Sequence, residues 1–172
     1  RIAPDRRVYL YVRKKLRLRH GRPVFIYPEI DFDLPEHWQL VGIWAPRFWT
    51  QIGLSLRMLC FPVDTLFVPA HTLPFIGGRK NRVTVHGLEY EVSPESYGFF
   101  ERLYMRLSIR YSCFKADTVI AVSENTKKDL IKLYDIAETK IRVIGEGFFQ
   151  DQAVGVIKNN QESSGQLLFI GR

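Results

Sequence analysis

Three side chains stand where an apolar run gives way to a loop or helix and could hold a small polar ligand: His71 in "FVPAHTLPF", His86 in "RVTVHG" and Ser123 in "TVIAVSENT". An imidazole can donate or accept a hydrogen bond, and a serine hydroxyl can do both, so all three can hold polar ligand groups. Each also has a plainer reading. His71 can be a surface residue of a Pro/Gly-rich loop. Ser123 can simply cap the following helix, although the free amides and partial positive charge at that helix end can also receive a ligand anion or hydroxyl.

What positions these groups is an alternation of short strands and helical segments. Apolar β-branched or aromatic runs recur at 8–12, 24–28, 65–69, 82–86, 118–122 and 141–144. Several are separated by enough chain for a crossover helix, and "TVIAV" is apolar on both faces, as a strand covered on each side must be. The expected fold is α/β, a Rossmann-like doubly wound parallel sheet. Ligands of such sheets sit beyond the carboxyl ends of the strands, which places His86 and Ser123 on one edge. Pro69, Pro74 and Gly77–Gly78 shape the loop carrying His71 near the same edge. After "EYEV" the sequence predicts a helix with Ser93 as N-cap and Pro94 in the first position. Phe100, Leu103, Tyr104, Leu107, Tyr111 and Phe114 recur at helical spacing and predict its core face, with Arg102, Arg106 and Arg110 on a solvated one.

The chain has 172 residues, 46% apolar and 13% aromatic, enough to bury a core and fill one domain with part of another. Cys60 and Cys113 lie in apolar stretches without metal-ligand spacing; they read as reduced, buried thiols, and no metal is expected. That favours a cytoplasmic protein. No run approaches the length of a membrane span and no signal peptide is visible, so a soluble or peripheral protein is expected. The net charge of +7 is concentrated at the start, where Arg1, Arg6, Arg7, Arg13, Lys14, Lys15, Arg17, Arg19 and Arg22 face only Asp5. An anionic membrane surface, substrate phosphates and plain solvation all fit this block. Nucleic acid is disfavoured because no recognisable binding motif accompanies it.

Beyond "KIRVIGEGFF" the polar, turn-rich "IKNNQESSGQ" resembles a linker, and "LLFIGR" restarts an apolar strand. The expected division is a Rossmann-like domain over 1–150, a linker or exposed loop over 151–166, and the first strand of another domain over 167–172.

The ordered series "PRFWTQIGLSLR", "DTLFVPAHTLPF", "RVTVHGLEYEVSPESY", "ERLYMRLSIRYSCFKADTVIAVSENTKKDLIKLYDIAETKIRVIGEG" and "LLFIGR" resembles the N-terminal domain and interdomain junction of glycosyltransferase family 4 (group 1) over residues 46 to 172. Residues 1 to 45 resemble it loosely, as the second strand and a variable connection. The resemblance implies a GT-B architecture in which the N-terminal domain holds a saccharide or lipid-linked acceptor and the C-terminal domain a nucleotide-sugar. It implies a retaining hexosyltransferase, with mannose or glucose as candidates, making polysaccharide or glycolipid without metal or cofactor, because cationic side chains and helix N-termini offset the leaving diphosphate. The histidine matching His86 faces the transferred sugar. Gly171 and Arg172 match a "GR" that holds donor phosphate. Gly87 departs from the family, which often has Asp there, so that carboxylate role is absent or moved to Glu89. With His71 and Ser123, Gly87 and Glu89 make up the expected acceptor side of the cleft.

The resemblance further implies a first strand and glycine-rich loop before Arg1 and a donor-binding acidic pair after Arg172, so the chain is expected to be incomplete at both ends and inactive alone. Its expected location is the cytoplasm, peripheral on the inner membrane face. The alternative is a noncatalytic Rossmann-like module docking on anionic lipid or nucleic acid. A nucleotide-sugar epimerase is disfavoured because no G-x-G-x-x-G follows a strand.

Overall fold

The computed structural model describes residues 7–19, 22–28, 30, 33–45 and 47–147. The alternating "VYLYVR" forms β1 (Val8–Arg13), and two short basic and apolar runs, β2 (Lys15–Arg19) and β3 (Arg22–Ile26), follow it. β2 and β3 pair as an antiparallel ribbon with Leu16 opposite Phe25 and Lys15 opposite Ile26. β1 instead pairs in parallel with β4 (Trp38–Ile43), from Val8 opposite Trp38 to Arg13 opposite Ile43. The base of the ribbon approaches β4 closely. A β-carbon at Gly42 would collide with the Lys14 and Tyr27 side chains, and the Lys14 ammonium lies 4.8 Å from the Tyr27 ring centre.

A π-helical turn at Trp49–Gly53 leads into α1 (Leu54–Cys60). The Trp49 indole donates to the Ile43 carbonyl at 3.3 Å, fixing this turn against the end of β4. Leu54, Ser55 and Met58 face inward, whereas Leu56, Leu59 and Cys60 are exposed. The expectation of two buried thiols therefore fails at Cys60, which shares the outer face with Leu56 one turn earlier. Cys113 is buried, and desolvation pushes its thiol up to about 12.

The main sheet has four parallel strands in the order β5 (Thr65–Val68), β6 (Lys80–Val85), β7 (Thr118–Ala121) and β8 (Ile141–Val143). Val83 and Val85 of β6 and Val119 and Ala121 of β7 have no exposed surface, and Thr84 on the opposite face of β6 is buried too, as a central strand covered on both faces requires. The expected α/β class is observed, with a parallel sheet of Rossmann-like form. The connections are α2 (Glu89–Val92) and α3 (Phe99–Lys115) between β6 and β7, then α4 (Glu124–Tyr134) between β7 and β8. Leu73, Tyr90, Ile109, Leu130 and Ile136 complete the core.

The helix after "EYEV" differs from the sequence expectation in two ways. Pro94–Ser96 form a single 3-10 turn, Ser93 makes no side-chain cap, and Tyr97 returns to extended backbone. Its ring packs edge-on against buried Tyr90 at 6.3 Å, and α3 begins only after Gly98. The helical face is also inverted. Phe100 is 83% exposed and Leu107 59%, while Ile109, Ser112 and Cys113 point inward. A polar residue can face the core here because it is satisfied: Ser112 Oγ accepts the Leu73 amide at 2.8 Å and donates to the Ser108 carbonyl at 2.7 Å. The expected linker and following strand lie outside the described residues.

Candidate functional site

The parallel register brings four strand ends to one edge. Pro69 follows β5, His86 follows β6, Ser123 lies two residues beyond β7, and Glu146 follows β8. The His86 ring spans two of them: Nε2 lies 2.9 Å from the Pro69 carbonyl oxygen and Nδ1 lies 2.5 Å from Glu146 Oε1. These contacts favour the charged ring. The carbonyl contributes most, the Glu146 carboxylate comes next, and partial burial opposes them, leaving the His86 pKa raised.

His71 meets His86 edge to face, with ring centres 5.2 Å apart. It is half-buried, and its Nδ1 is buried without a hydrogen-bond partner among the described residues. Burial first and the neighbouring His86 second push its pKa down, so His71 favours the neutral ring. The two imidazoles thus shift in opposite directions within one site.

Ser123 does cap α4: its hydroxyl accepts the Thr126 amide at 3.1 Å. The Thr126 hydroxyl lies 3.0 Å from Ser123 Oγ and donates to the His86 carbonyl at 3.3 Å. The cap is therefore tied to the strand end that carries the histidine. Glu89 is exposed in the first turn of α2 and folds its carboxylate over Gly87, where a β-carbon would collide with it. Any side chain at position 87 would have to displace Glu89. His86, Gly87, Glu89 and Ser123 border one open hollow of about 320 Å³, with Ser93, Asn125 and Asp129 also on its wall. Polar side chains on its wall offer hydrogen bonds to a hydroxylated ligand.

The structure brings His71, His86, Gly87, Glu89 and Ser123 to one edge. Gly171 and Arg172 lie outside the described residues. Sequence reading missed Glu146, although "VIGEG" immediately after a strand was a usable signal because every strand end meets this edge. It also missed Glu91. This carboxylate accepts from Arg106 Nε at 2.6 Å, from Arg106 again through the second guanidinium nitrogen, from Arg102 at 3.3 Å and from the Tyr134 hydroxyl at 3.0 Å. Arg102 and Arg106 are thus ion-pair partners across the α2–α3 junction rather than a plainly solvated face, and Arg110 lies over the Phe114 ring. The Arg106 guanidinium leads in holding the Glu91 carboxyl down at about 2. Tyr90 and Tyr134 hydroxyls meet at 2.6 Å behind it, joining α2 to α4.

A parallel α/β sheet with polar groups gathered at the carboxyl ends of its strands defines a Rossmann-like fold. The chain belongs to Glycosyltransferase Family 4, whose sequence pattern matches residues 2–148. It is similar to the O-antigen chain mannosyltransferase RfbU of Salmonella typhimurium (strain LT2), with 27% identity over 111 residues covering 64% of this chain. The matched stretch covers 28% of that relative. No solved structure matches the chain.

Proposed function

We propose that this chain is the acceptor-side part of a retaining hexosyltransferase that takes a sugar from a nucleotide-sugar donor and adds it to a saccharide or lipid-linked acceptor in polysaccharide or glycolipid synthesis. The carrying observation is His86, fixed at the carboxyl end of a central strand in a chain of this family. The mannosyltransferase relative favours mannose as the sugar. In this reading His86 contacts a hydroxyl of the transferred sugar and orients its anomeric carbon. His71, Glu89 and Ser123 offer polar contacts to the acceptor, and Gly87 leaves room for the Glu89 carboxylate folded over it. Residues 1–150 form the N-terminal domain, 151–166 the linker, and 167–172 the entry to a donor domain, where Gly171 and Arg172 meet the diphosphate.

The test is kinetic and uses the complete gene product. His86→Ala should lower turnover by the equivalent of roughly 2–4 kcal/mol while leaving donor affinity nearly unchanged, because a preorganised polar contact matters most as charge develops. Wild-type turnover in that variant would remove His86 from the mechanism. Product NMR reports the anomeric configuration, and inversion would exclude the retaining assignment.

A second reading concerns where the acceptor is met. No helix among the described residues is long and apolar enough to cross a membrane. The β2–β3 ribbon nevertheless exposes Leu16 and Phe25 side by side, with Trp44 packed edge-on against Phe25 at 6.2 Å. No aspartate or glutamate lies between Arg6 and Pro28. An apolar ridge in a segment rich in basic residues fits the interface of an anionic membrane, and we assign peripheral docking there to this ribbon.

A further inference from the structure

We infer that Glu146 is a positioning residue for His86, holding it as an imidazolium in the ligand-free state and yielding its place to a substrate hydroxyl. The inference rests on the proposal that His86 meets the sugar, but its first premise is independent of that role. Both ring nitrogens face acceptors: Nε2 faces a backbone carbonyl, which cannot donate, and Nδ1 faces a carboxylate. A neutral imidazole has only one N–H and would turn a lone pair toward one of these oxygens. The doubly protonated ring satisfies both.

The two partners differ in how readily they exchange. Pro69 directly follows Val68, which is paired in the sheet, so its carbonyl is held by the backbone. Glu146 reaches His86 from the segment beyond β8, and its side chain is 64% exposed against 42% for the histidine. A hydroxyl arriving in the hollow can take over the Nδ1–H donor with little backbone movement, leaving Nε2 anchored on Pro69. Glu146 thus presets ring orientation and charge, and its carboxylate becomes free beside the incoming ligand.

Other groups around His86 set the background. His71 adjoins it from the β5–β6 loop, Glu89 faces it from α2, and Asp129 of α4 stands on the wall of the same hollow. Glu89 acts on the ring through space and has no hydrogen bond to it among the described contacts, whereas Glu146 is bonded directly. Raising the pH through the His86 transition removes one of the two N–H donors and leaves one of the two facing oxygens without a donor; lowering it restores both.

Long-range nitrogen NMR of the histidine side chains in the 172-residue chain tests this. In the wild type, both His86 nitrogens should remain protonated to a pH above the ordinary imidazole range. Glu146→Gln should move that transition down toward the ordinary range, and Glu89→Gln should move it less. An unchanged transition in Glu146→Gln, or a larger effect from Glu89→Gln, would overturn the inference. If Glu146→Gln failed to fold, the wild-type spectrum would still decide, since one unprotonated His86 nitrogen at neutral pH rules out the doubly bonded cation. In the complete enzyme, Glu146→Gln should shift the basic limb of the pH–turnover profile downward, and no shift would show that Glu146 does not position the ring for transfer. Normal turnover in His86→Ala alongside an intact wild-type NMR transition would defeat the transfer reading while leaving the ion pair in place.

Discussion

At the scale of single residues, the tightest polar cluster is centred on a carboxylate with no assigned chemistry. The Glu91 side chain is 6% exposed and gathers Arg102, Arg106 and Tyr134. Its pKa is lowered from 4.5 to about 2 in the fold, so its stabilising contribution is present above the unfolded value and is lost as pH falls from 4.5 toward 2. Glu91→Gln should cost about 2–3 kcal/mol at neutral pH, a figure reduced for the partial exposure of Arg106, and should flatten the acid limb of stability. Urea unfolding at pH 7 and pH 3 measures both effects; equal losses at the two pH values would exclude an ionic origin. If Arg172 holds donor phosphate as proposed, Arg172→Ala should weaken nucleoside diphosphate binding by about 1.5–3 kcal/mol, which calorimetry on the full-length gene product would detect. His86 was legible because a strand end can be recognised locally. Glu146 could be placed at a strand end in the same way, but its pairing with His86 was not legible, because the two lie 60 residues apart and only the parallel pairing unites them.

Helices and strands were read with uneven success, and α3 shows why. The apolar spacing of Phe100, Leu103, Leu107 and Phe114 correctly predicted a helix, because periodicity reports conformation. It did not report which face turns inward. A second stripe through Arg102, Ile109, Ser112 and Cys113 won, since its polar members find Glu91, Leu73 and Ser108 as partners. Leu107→Lys should therefore change stability by less than about 0.5 kcal/mol, while Ile109→Ala should cost roughly 2–5 kcal/mol. Thermal denaturation of the two variants decides between the faces, and the reverse order would restore the expectation drawn from spacing. The Ser123 cap was readable because the signal is local: a serine directly before "ENTKKDL" accepts its own helix amide. β4 escaped notice because Gln39 and Gly42 interrupt its apolar run, and its pairing with β1 is set by register.

For the whole molecule, the uneven charge makes a prediction about surfaces. Vesicles containing anionic lipid should bind the chain more tightly than neutral ones, with binding falling as salt rises, and each basic group at the surface can contribute on the order of 1 kcal/mol. Lys15→Glu with Arg17→Glu should reduce co-sedimentation sharply, and Phe25→Ser should reduce it even at low salt. Equal binding to neutral and anionic vesicles, or equal competition by short DNA, would reject docking through this ribbon. The order of the main sheet has a different consequence. Each of β6, β7 and β8 pairs with the strand made just before it, so none must wait for a later segment to fill a gap between them. During synthesis the sheet can grow outward from β5 as each strand leaves the ribosome, with its newest edge always the one that the next strand needs. Protease resistance should therefore rise stepwise in nascent chains halted after β6, β7 and β8, whereas resistance appearing only with the last strand would mean that the sheet closes as a single unit.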